Sequence, residues 1–226
     1  MAKAEFSPSL MCMDLLELKE QVAFLNGKAD LYHVDIMDGH FVKNITLSPD
    51  FVRALSRIAA KPIDCHLMVT NPEDYVESLA KAGAGYITPH AETLCNQAFR
   101  MIGAIRDAGC KVGVAVSPAT PLGMLESYLH LVDKLTIMTV DPGFAGQPFI
   151  REMLDKIALA ARLKAERGYT YKIEVDGSCN VRTYKELYAA GAQVFTLGSS
   201  GLFGLDASLP AAWDKMCAQF AGETGA

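Results

Sequence analysis

The chain has 226 residues, of which 50% are hydrophobic and 21% are charged, a composition typical of one or two soluble globular domains. Its formal net charge is −5 and it has no basic cluster, which argues against duplex nucleic acid or an anionic membrane as a partner. No run of about 18 apolar residues occurs, so no transmembrane helix is expected.

Cysteine usage and the amino terminus favour a cytoplasmic protein. The six cysteines form no Cys-x-x-Cys pair and lie in apolar segments, as reduced and mostly buried thiols do. The first ten residues, MAKAEFSPSL, lack the hydrophobic stretch of a signal peptide. No linker rich in Pro, Gly or Ser divides the chain, so residues 1–226 are expected to form a single domain.

Short β-rich segments alternate with helical patterns along the whole chain. The eight predicted strands are Glu5–Leu10, Leu31–Met37, Ile63–Val69, Tyr86–His90, Lys111–Val116, Lys134–Val140, Tyr171–Val175 and Val194–Leu197. After the first strand, Leu15, Leu18, Val22 and Leu25 share one helical face, and Asp14 is a candidate N-cap. Asn71 followed by proline predicts a second helix start.

Three predicted helices end in the same way, with Ala-Gly leading into an apolar strand. Gly83, Gly109 and Gly191 occupy the position after the helix where a left-handed backbone is needed. Repeated helix–glycine–strand units imply parallel strands joined by crossover helices. Eight such units predict a single (β/α)₈ TIM barrel, and an open doubly wound sheet is the alternative.

Polar side chains recur at one face of three strand ends, where barrels of this class place their active sites. The inward residues are His33, Asp35 and Met37 on the second strand, Asp64, His66 and Met68 on the third, and Glu174 and Asp176 on the seventh. Two imidazoles and two carboxylates suit one divalent metal such as zinc, manganese or cobalt. A lone strand histidine is more often structural, but buried aspartates need partners, which favours the metal.

Glycine-rich segments follow the last three strands, and each offers free backbone N–H groups to an anion. They read DPGFAGQ after the sixth strand, DGS after the seventh and GSSG after the eighth. We expect them to bind phosphate, and ordinary tight turns are the alternative. Met37, Met68 and Met138 are expected to form an apolar floor beside the metal or to be core filler. His40 and His90 are assigned to positions that support the ligands or to structural ones, and His130 to a structural one.

Taken together, SPSL, HVDIMDGHFV, DCHLMVTNPEDY, MTVDPGFAGQPF and EVDGS resemble the ribulose-phosphate 3-epimerase family over nearly the whole chain. The resemblance implies a (β/α)₈ fold, a homo-oligomer, a phosphorylated ketose substrate and one divalent metal ion (Zn, Mn, Co, Fe or Mg). It implies the metal ligands His33, Asp35, His66 and Asp176, of which the two aspartates are catalytic. The substrate-binding residues that it implies are Ser9, His66, Gly143, Phe144, Ala145, Gly146, Gly177, Ser178, Gly198, Ser199 and Ser200.

Several positions depart from the usual pentulose pattern of this family. Asp141 and Ala145 replace an Asn and a Gly, Ser178 replaces a Gly, and Lys43 replaces a Pro, while Ser199-Ser200-Gly replaces Gly-Ser-Ala. These features resemble the hexulose branch, whose substrate is D-allulose 6-phosphate. That substrate is the prediction, and D-ribulose 5-phosphate is the alternative.

Epimerisation at carbon 3 requires one group to remove a proton and another to deliver one to the opposite face, through an enediolate. Asp35 and Asp176 are predicted to share these roles, and Asp64 to orient a histidine ligand or to be a satisfied core carboxylate. Two other classes are weighed. For a phosphate-barrel lyase, a decarboxylase is expected to place a lysine between acids on a strand, and HVDIMD has none. A Schiff-base aldolase needs a lysine at an inward strand end, and the sequence offers no good candidate. A non-catalytic binding barrel does not need this set of polar groups.

Overall fold

The structure is a computed structural model that describes residues 3–94 and 96–225. The strands within those ranges are β1 Glu5–Pro8, β2 Tyr32–Asp38, β3 Ile45–Thr46, β4 Ile63–Met68, β5 Tyr86–Pro89, β6 Lys111–Val116, β7 Lys134–Met138, β8 Lys172–Asp176 and β9 Val194–Leu197. The α-helices there are α1 Leu18–Leu25, α2 Pro49–Ser56, α3 Val76–Ala82, α4 Ala91–Leu94, α5 Ala98–Asp107, α6 Met153–Arg167, α7 Tyr184–Ala190 and α8 Leu209–Thr224.

Eight of the described strands are parallel and form the wall of a barrel. Their order is β1-β9-β8-β7-β6-β5-β4-β2, and β3 adds a short antiparallel pair to β2. A parallel bridge between Ser9 and His33 joins the end of β1 to β2 and closes the ring. The predicted (β/α)₈ barrel is therefore confirmed, and the open-sheet alternative is wrong.

All eight predicted strands are present, with ends that differ by at most two residues. The helical predictions are less accurate. Asp14 accepts a bond from Leu16 N, but it starts a 3₁₀ turn, and half of Leu15 is exposed although we predicted it on the buried face. The segment between β6 and β7 holds the 3₁₀ turns Leu122–Leu125 and Leu129–Leu131 in place of a crossover α-helix. The strand positions were therefore predicted well, because strands pair along the barrel. The local helix signals did not distinguish an α-helix from a 3₁₀ turn.

The prediction that glycines with a left-handed backbone end three of the helices is confirmed. Gly83, Gly109 and Gly191 have φ values of +103°, +84° and +110°, a backbone region that side chains with a Cβ avoid. At two of these sites the space is also restricted, because a Cβ on Gly83 or Gly191 would lie 2.8 Å from a neighbouring Cβ. These glycines let each chain segment turn directly from an outer helix into the next barrel strand.

The barrel wall separates two layers of different polarity. Outward strand residues such as Val34, Ile36 and Leu67 are buried against the helices in one large apolar core. The inward positions are largely polar: Ser7, His33, Asp35, Asp64, His66, Thr88, Lys134, Thr136, Glu174 and Thr196 are all buried. Barrels of this class usually fill this space with branched apolar side chains. Because buried polar groups are costly without partners, a charged interior of this kind indicates function.

The described cysteines are free, and their side chains are buried or half-buried, as predicted. Cys95 lies outside the described residues. Among the residues that the structure describes, no helix is both long and apolar enough to cross a membrane, as expected from the sequence.

Gly113 on β6 provides a stability prediction. A Cβ at this inward position would lie 2.0 Å from Thr88 Oγ1, and Thr88 holds Asp64 through a hydrogen bond of 2.6 Å. Gly113→Ala is therefore expected to lower the free energy of unfolding by about 1–3 kcal/mol, as overpacked core substitutions do. Urea unfolding measures it. The matched control is Gly103→Ala in α5, where nothing lies within 4 Å, and there a gain of about 0.5–1 kcal/mol is expected. Equal effects at the two sites would contradict the packing argument.

Candidate active site

Four side chains from three strands converge at the carboxyl end of the barrel. We call them the upper cluster: His33 and Asp35 from β2, His66 from β4 and Asp176 from β8. His33 Nε2 lies 3.1 Å from His66 Nδ1, and 3.2 and 3.5 Å from carboxylate oxygens of Asp35 and Asp176. His66 Nδ1 lies 3.3 and 3.4 Å from the same two oxygens. Alternation along the strands turns all four side chains inward, as the sequence predicts.

These separations fit a single metal ion. Ligands bound tetrahedrally at about 2.0–2.1 Å from zinc lie about 3.3–3.4 Å from one another. Five of the six separations among the four donor atoms are given above, and they range from 3.1 to 3.5 Å. The donor set of two imidazole nitrogens and two carboxylate oxygens also suits a divalent transition metal. The residues present therefore fit the metal that the family resemblance implies.

The proton on His66 is directed away from the donor atoms by its buried neighbours. His66 Nε2 lies 2.9 Å from His90 Nε2, and His90 Nδ1 lies 3.1 Å from a carboxylate oxygen of Glu92. Burial and the nearby His66 lower the pKa of His90 to about 4, so His90 is neutral. A neutral His90 that donates from Nδ1 to Glu92 accepts at Nε2, which assigns the proton of His66 to its Nε2. His66 Nδ1 then keeps a lone pair for a metal, and the assignment of His90 to a position that supports the ligands agrees with this arrangement.

The field between the four donor atoms favours a positive charge. Burial disfavours protonated His33, but the carboxylates of Asp35 and Asp176 outweigh it and raise the pKa of His33 well above its usual value. Burial also disfavours both carboxylates, yet His33 and His66 lower their pKa values, that of Asp176 to about 2. The two aspartates are therefore ionised at neutral pH, and a divalent cation matches the charge that they require.

The two carboxylate oxygens of Asp35 have different partners. Its Oδ1 faces the imidazoles of the upper cluster, while its Oδ2 accepts a hydrogen bond of 2.7 Å from the Ser9 hydroxyl. Ser9 was predicted to contact substrate, and it lines a cleft above the upper cluster. In this structure it also fixes the orientation of the carboxylate, so that one oxygen faces the two imidazoles and the other faces the serine hydroxyl.

A cleft opens above the upper cluster. It is lined by the predicted residues Ser9, Asp35, Met37, Met68, Met138, Gly143, Phe144, Ala145, Gly146, Asp176, Gly177, Ser178, Gly198, Ser199 and Ser200. The three methionines are at most 4% exposed and form an apolar wall beside the aspartates. Sequence reasoning missed further lining residues, namely Met11, Cys12, Val140, Cys179 and Thr196, whereas Asp141 and Gln147 belong to the predicted DPGFAGQ segment.

The glycine-rich segments meet at the far wall of this cleft. Gly143, Gly146 and Gly177 have positive φ values, and so does Ser178, at +48°, the one non-glycine residue of this kind in the described ranges. The Ser178 hydroxyl donates to Gln147 O at 2.5 Å, which joins the loop after β8 to the loop after β7. Ser200 Oγ accepts from Asn180 Nδ2 at 3.1 Å. These bonds hold three loops together at the place where phosphate was predicted.

A second buried cluster lies beneath the first and was not recognised in the sequence. We call it the lower cluster: Asp64, Lys134, Thr136 and Glu174, all with no exposed surface. Burial disfavours the ammonium of Lys134, but Asp64 and Glu174 outweigh it and raise its pKa. Lys134 is thus an inward lysine that the sequence analysis did not recognise. Lys134 begins β7, however, so it lies at the opposite end of the strand from the cleft. Its alternation with Met138 was the signal that could have revealed it.

Two other histidines do not join the site. His40 is exposed in the turn after β2, where its Nδ1 lies 3.0 Å from Asp38 O. His130 is exposed in a 3₁₀ turn before β7, so the prediction of a structural role for it has no buried contact to support it.

Comparisons with known proteins agree with this geometry. The model of the "Ribulose-phosphate 3 epimerase family" matches residues 5–203. The chain is 40% identical to a ribulose-phosphate 3-epimerase of Treponema pallidum, covering 90% of this chain and 93% of that protein. It is 41% identical to one of Synechocystis, covering 86% and 85%.

Solved structures with low sequence identity share the fold. One is KGPDC from Streptococcus mutans, with a TM-score of 0.74 and 13% identity over 97% of this chain and 98% of that one. Another is a 3-hexulose-6-phosphate synthase from Salmonella typhimurium, with a TM-score of 0.67 and 17% identity over 97% and 99%. The sequence matches carry the assignment further than the fold alone: the chain belongs to the ribulose-phosphate 3-epimerase family and is an isomerase.

Proposed function

We propose that the protein is a metal-dependent ketose-phosphate 3-epimerase that interconverts D-allulose 6-phosphate and D-fructose 6-phosphate. One observation carries the epimerase chemistry: two ionised aspartates, Asp35 from β2 and the partly exposed Asp176 from β8, belong to one set of donor atoms at the floor of a cleft. That arrangement offers two proton-transfer groups to one substrate carbon. His33, Asp35, His66 and Asp176 would hold the metal, which when bound would act as a Lewis acid for the charge of an enediolate.

The two aspartates supply the proton transfers. Asp35 and Asp176 come from well-separated strands, so a ketose lying across the cleft would have one carboxylate on each face of carbon 3. One aspartate removes the proton and the other delivers a proton to the opposite face, and the roles exchange in the reverse reaction. The Ser9 hydroxyl holds Oδ2 of Asp35 in place at 2.7 Å. Met37, Met68 and Met138 line the apolar side of the cleft.

The assignment of a hexulose phosphate as substrate is supported by the glycine-rich segments at the far wall of the cleft. The upper cluster would fix the ketose end of the substrate, and the glycine-rich segments would fix its phosphate, so the span between them selects substrate length. Ser178 departs from the usual glycine, and its hydroxyl proton is given to Gln147 O, which sets the spacing of two loops. Its oxygen lone pairs remain able to accept a bond from an additional substrate hydroxyl. D-Ribulose 5-phosphate is the second candidate, because curated relatives at 39–41% identity carry the ribulose-phosphate name.

A side-by-side assay decides between the two substrates. The native protein is expected to show a higher kcat/KM for allulose 6-phosphate than for ribulose 5-phosphate, because misplacing carbon 3 by a small distance is costly to rate. A variant with Ala145→Gly, Ser178→Gly and Ser199→Gly is expected to shift toward the pentulose. The matched control is Ser208→Gly at the start of α8, outside the cleft. A native preference for ribulose 5-phosphate would overturn the hexulose assignment and leave the epimerase proposal standing.

A tracer experiment tests the chemistry itself. In heavy water, deuterium is expected at carbon 3 of the product, since the delivered proton comes from a carboxylate that exchanges with solvent. Absence of deuterium from carbon 3 would exclude this mechanism for either substrate. Assembly into a homo-oligomer stays a prediction, and analytical ultracentrifugation measures it.

A further inference from the structure

The lower cluster places one ammonium between two buried carboxylates. Lys134 Nζ donates to Asp64 Oδ2 at 2.6 Å, to Thr136 Oγ1 at 3.1 Å and to Glu174. A lysine ammonium has three N–H donors, so each of them has a partner here. Thr136 also donates to Glu174 Oε2 at 2.6 Å, and Thr88 donates to Asp64 Oδ1 at 2.6 Å. Both oxygens of Asp64 are therefore fixed by side chains other than the metal ligands.

His33 connects the lower cluster to the upper one through its two ring nitrogens. Its Nε2 faces the donor atoms of the upper cluster, while its Nδ1 lies 3.2 Å from Asp64 Oδ2 and 3.9 Å from Glu174 Oε1. A carboxylate beside Nδ1 favours the tautomer that carries its proton there, which leaves the lone pair on Nε2. The direction in which Asp64 points therefore decides which nitrogen of His33 is available as a ligand.

The lower cluster also has the composition of a cation site. Donor atoms of His33, Asp64 and Glu174 lie within 4.8 Å of one another, close enough to share a metal ion. Lys134 Nζ contacts both carboxylates of that group, so the position between them is taken by a cation that belongs to the protein. This ammonium neutralises the repulsion between two buried carboxylates without competing for the ligand nitrogen of His33.

We propose that Lys134 is a positioning residue whose ammonium holds Asp64 against His33 and thereby sets the affinity of the upper cluster for a divalent metal. This inference rests on the proposed metal site and deepens it. The change in metal affinity that it predicts for loss of Lys134 is opposite in sign to the change that charge alone would cause. Removing a positive charge near a cation site would strengthen metal binding by electrostatics alone. Removing a positioning contact should weaken it, by about 10–100-fold for partners of metal ligands.

The test measures metal binding directly, without turnover. Zn²⁺ affinity is determined by competition with a chromophoric chelator, and the ligand field by the visible absorption of the Co²⁺-loaded protein. Lys134→Met is expected to weaken Zn²⁺ binding by about 10–100-fold and to change the Co²⁺ spectrum. Lys172→Met is the matched control, because it removes a lysine that pairs with Glu5 at 2.6 Å and whose side chain is 40% exposed. The control should keep native Zn²⁺ affinity.

A double variant separates positioning from charge and from misfolding. Lys134→Met with Glu174→Gln keeps the net charge of the lower cluster and leaves only one buried carboxylate there, and circular dichroism checks that it folds. Weak Zn²⁺ binding in this variant supports positioning. Native or tighter Zn²⁺ binding in both Lys134 variants overturns the inference while the metal site stands. If the native protein itself binds neither Zn²⁺ nor Co²⁺, the metal site and this inference both fall.

Discussion

Asp176→Asn and Asp35→Asn are each expected to lower kcat by about two orders of magnitude or more, the scale on which positioned acid–base groups contribute. Each variant keeps the size of the side chain and removes its ability to take a proton. Both carboxyl groups are ionised at neutral pH in the native protein, because His33 and His66 lower their pKa values against the effect of burial. Turnover at saturating metal, with metal content measured in parallel, separates lost proton transfer from lost binding.

Isotope exchange makes this prediction sharper. With one base removed, the remaining aspartate can still exchange the carbon 3 proton of the epimer that faces it. The two variants are therefore expected to wash deuterium into opposite epimers, while neither interconverts them at the native rate. Asp206→Asn is the control, since Asp206 pairs with Lys215 and does not line the cleft, and it should turn over normally. Native rates in either active-site variant would remove that residue from the mechanism.

Removal of the metal is expected to abolish activity, and the loss should be reversible when metal is added back. His33→Ala and His66→Ala each delete one of four donor groups whose separations fit a single tetrahedral ion. Metal occupancy, measured by plasma mass spectrometry, and turnover should therefore fall together in both variants. His130→Ala removes an exposed imidazole and should change neither quantity. Full activity after exhaustive chelation is the result that contradicts the metal proposal.

The features that were predictable from the sequence are those that a local pattern determines. Alternation along a strand identifies His33 and Asp35 as inward residues, and Gly83 and its equivalents identify helix ends by backbone geometry. The 3₁₀ turns after β6 escaped prediction because weak helix signals do not distinguish turn types, and packing decides them. Strand positions therefore followed from the residues themselves, while the form of the connections did not.

Contacts between sequence-distant side chains were the main omission. Lys134 begins a strand that ends in an apolar run, and nothing near it in sequence shows that its partners are Asp64 and Glu174, one on each side of the barrel interior. The same holds for His90. Its effect on the tautomer of His66 depends on the distance of 2.9 Å between His66 Nε2 and His90 Nε2. The residues of the upper cluster could be found from alternation, but the groups that orient them could be found only in the closed barrel.

The bridge between Ser9 and His33 has a consequence for the order of assembly during folding. The Ser9 backbone N–H donates to Leu197 O on β9 at 2.9 Å, and its hydroxyl donates to Asp35. The carboxylate of Asp35 is thus oriented by a residue that is itself held by the last strand of the barrel. Contacts across such a sequence distance form late, since the loop-closure entropy must be overcome first. A nascent chain that still lacks β9 has both aspartates but no closed ring, so the carboxylate of Asp35 gains its fixed orientation only when β1 pairs with β9.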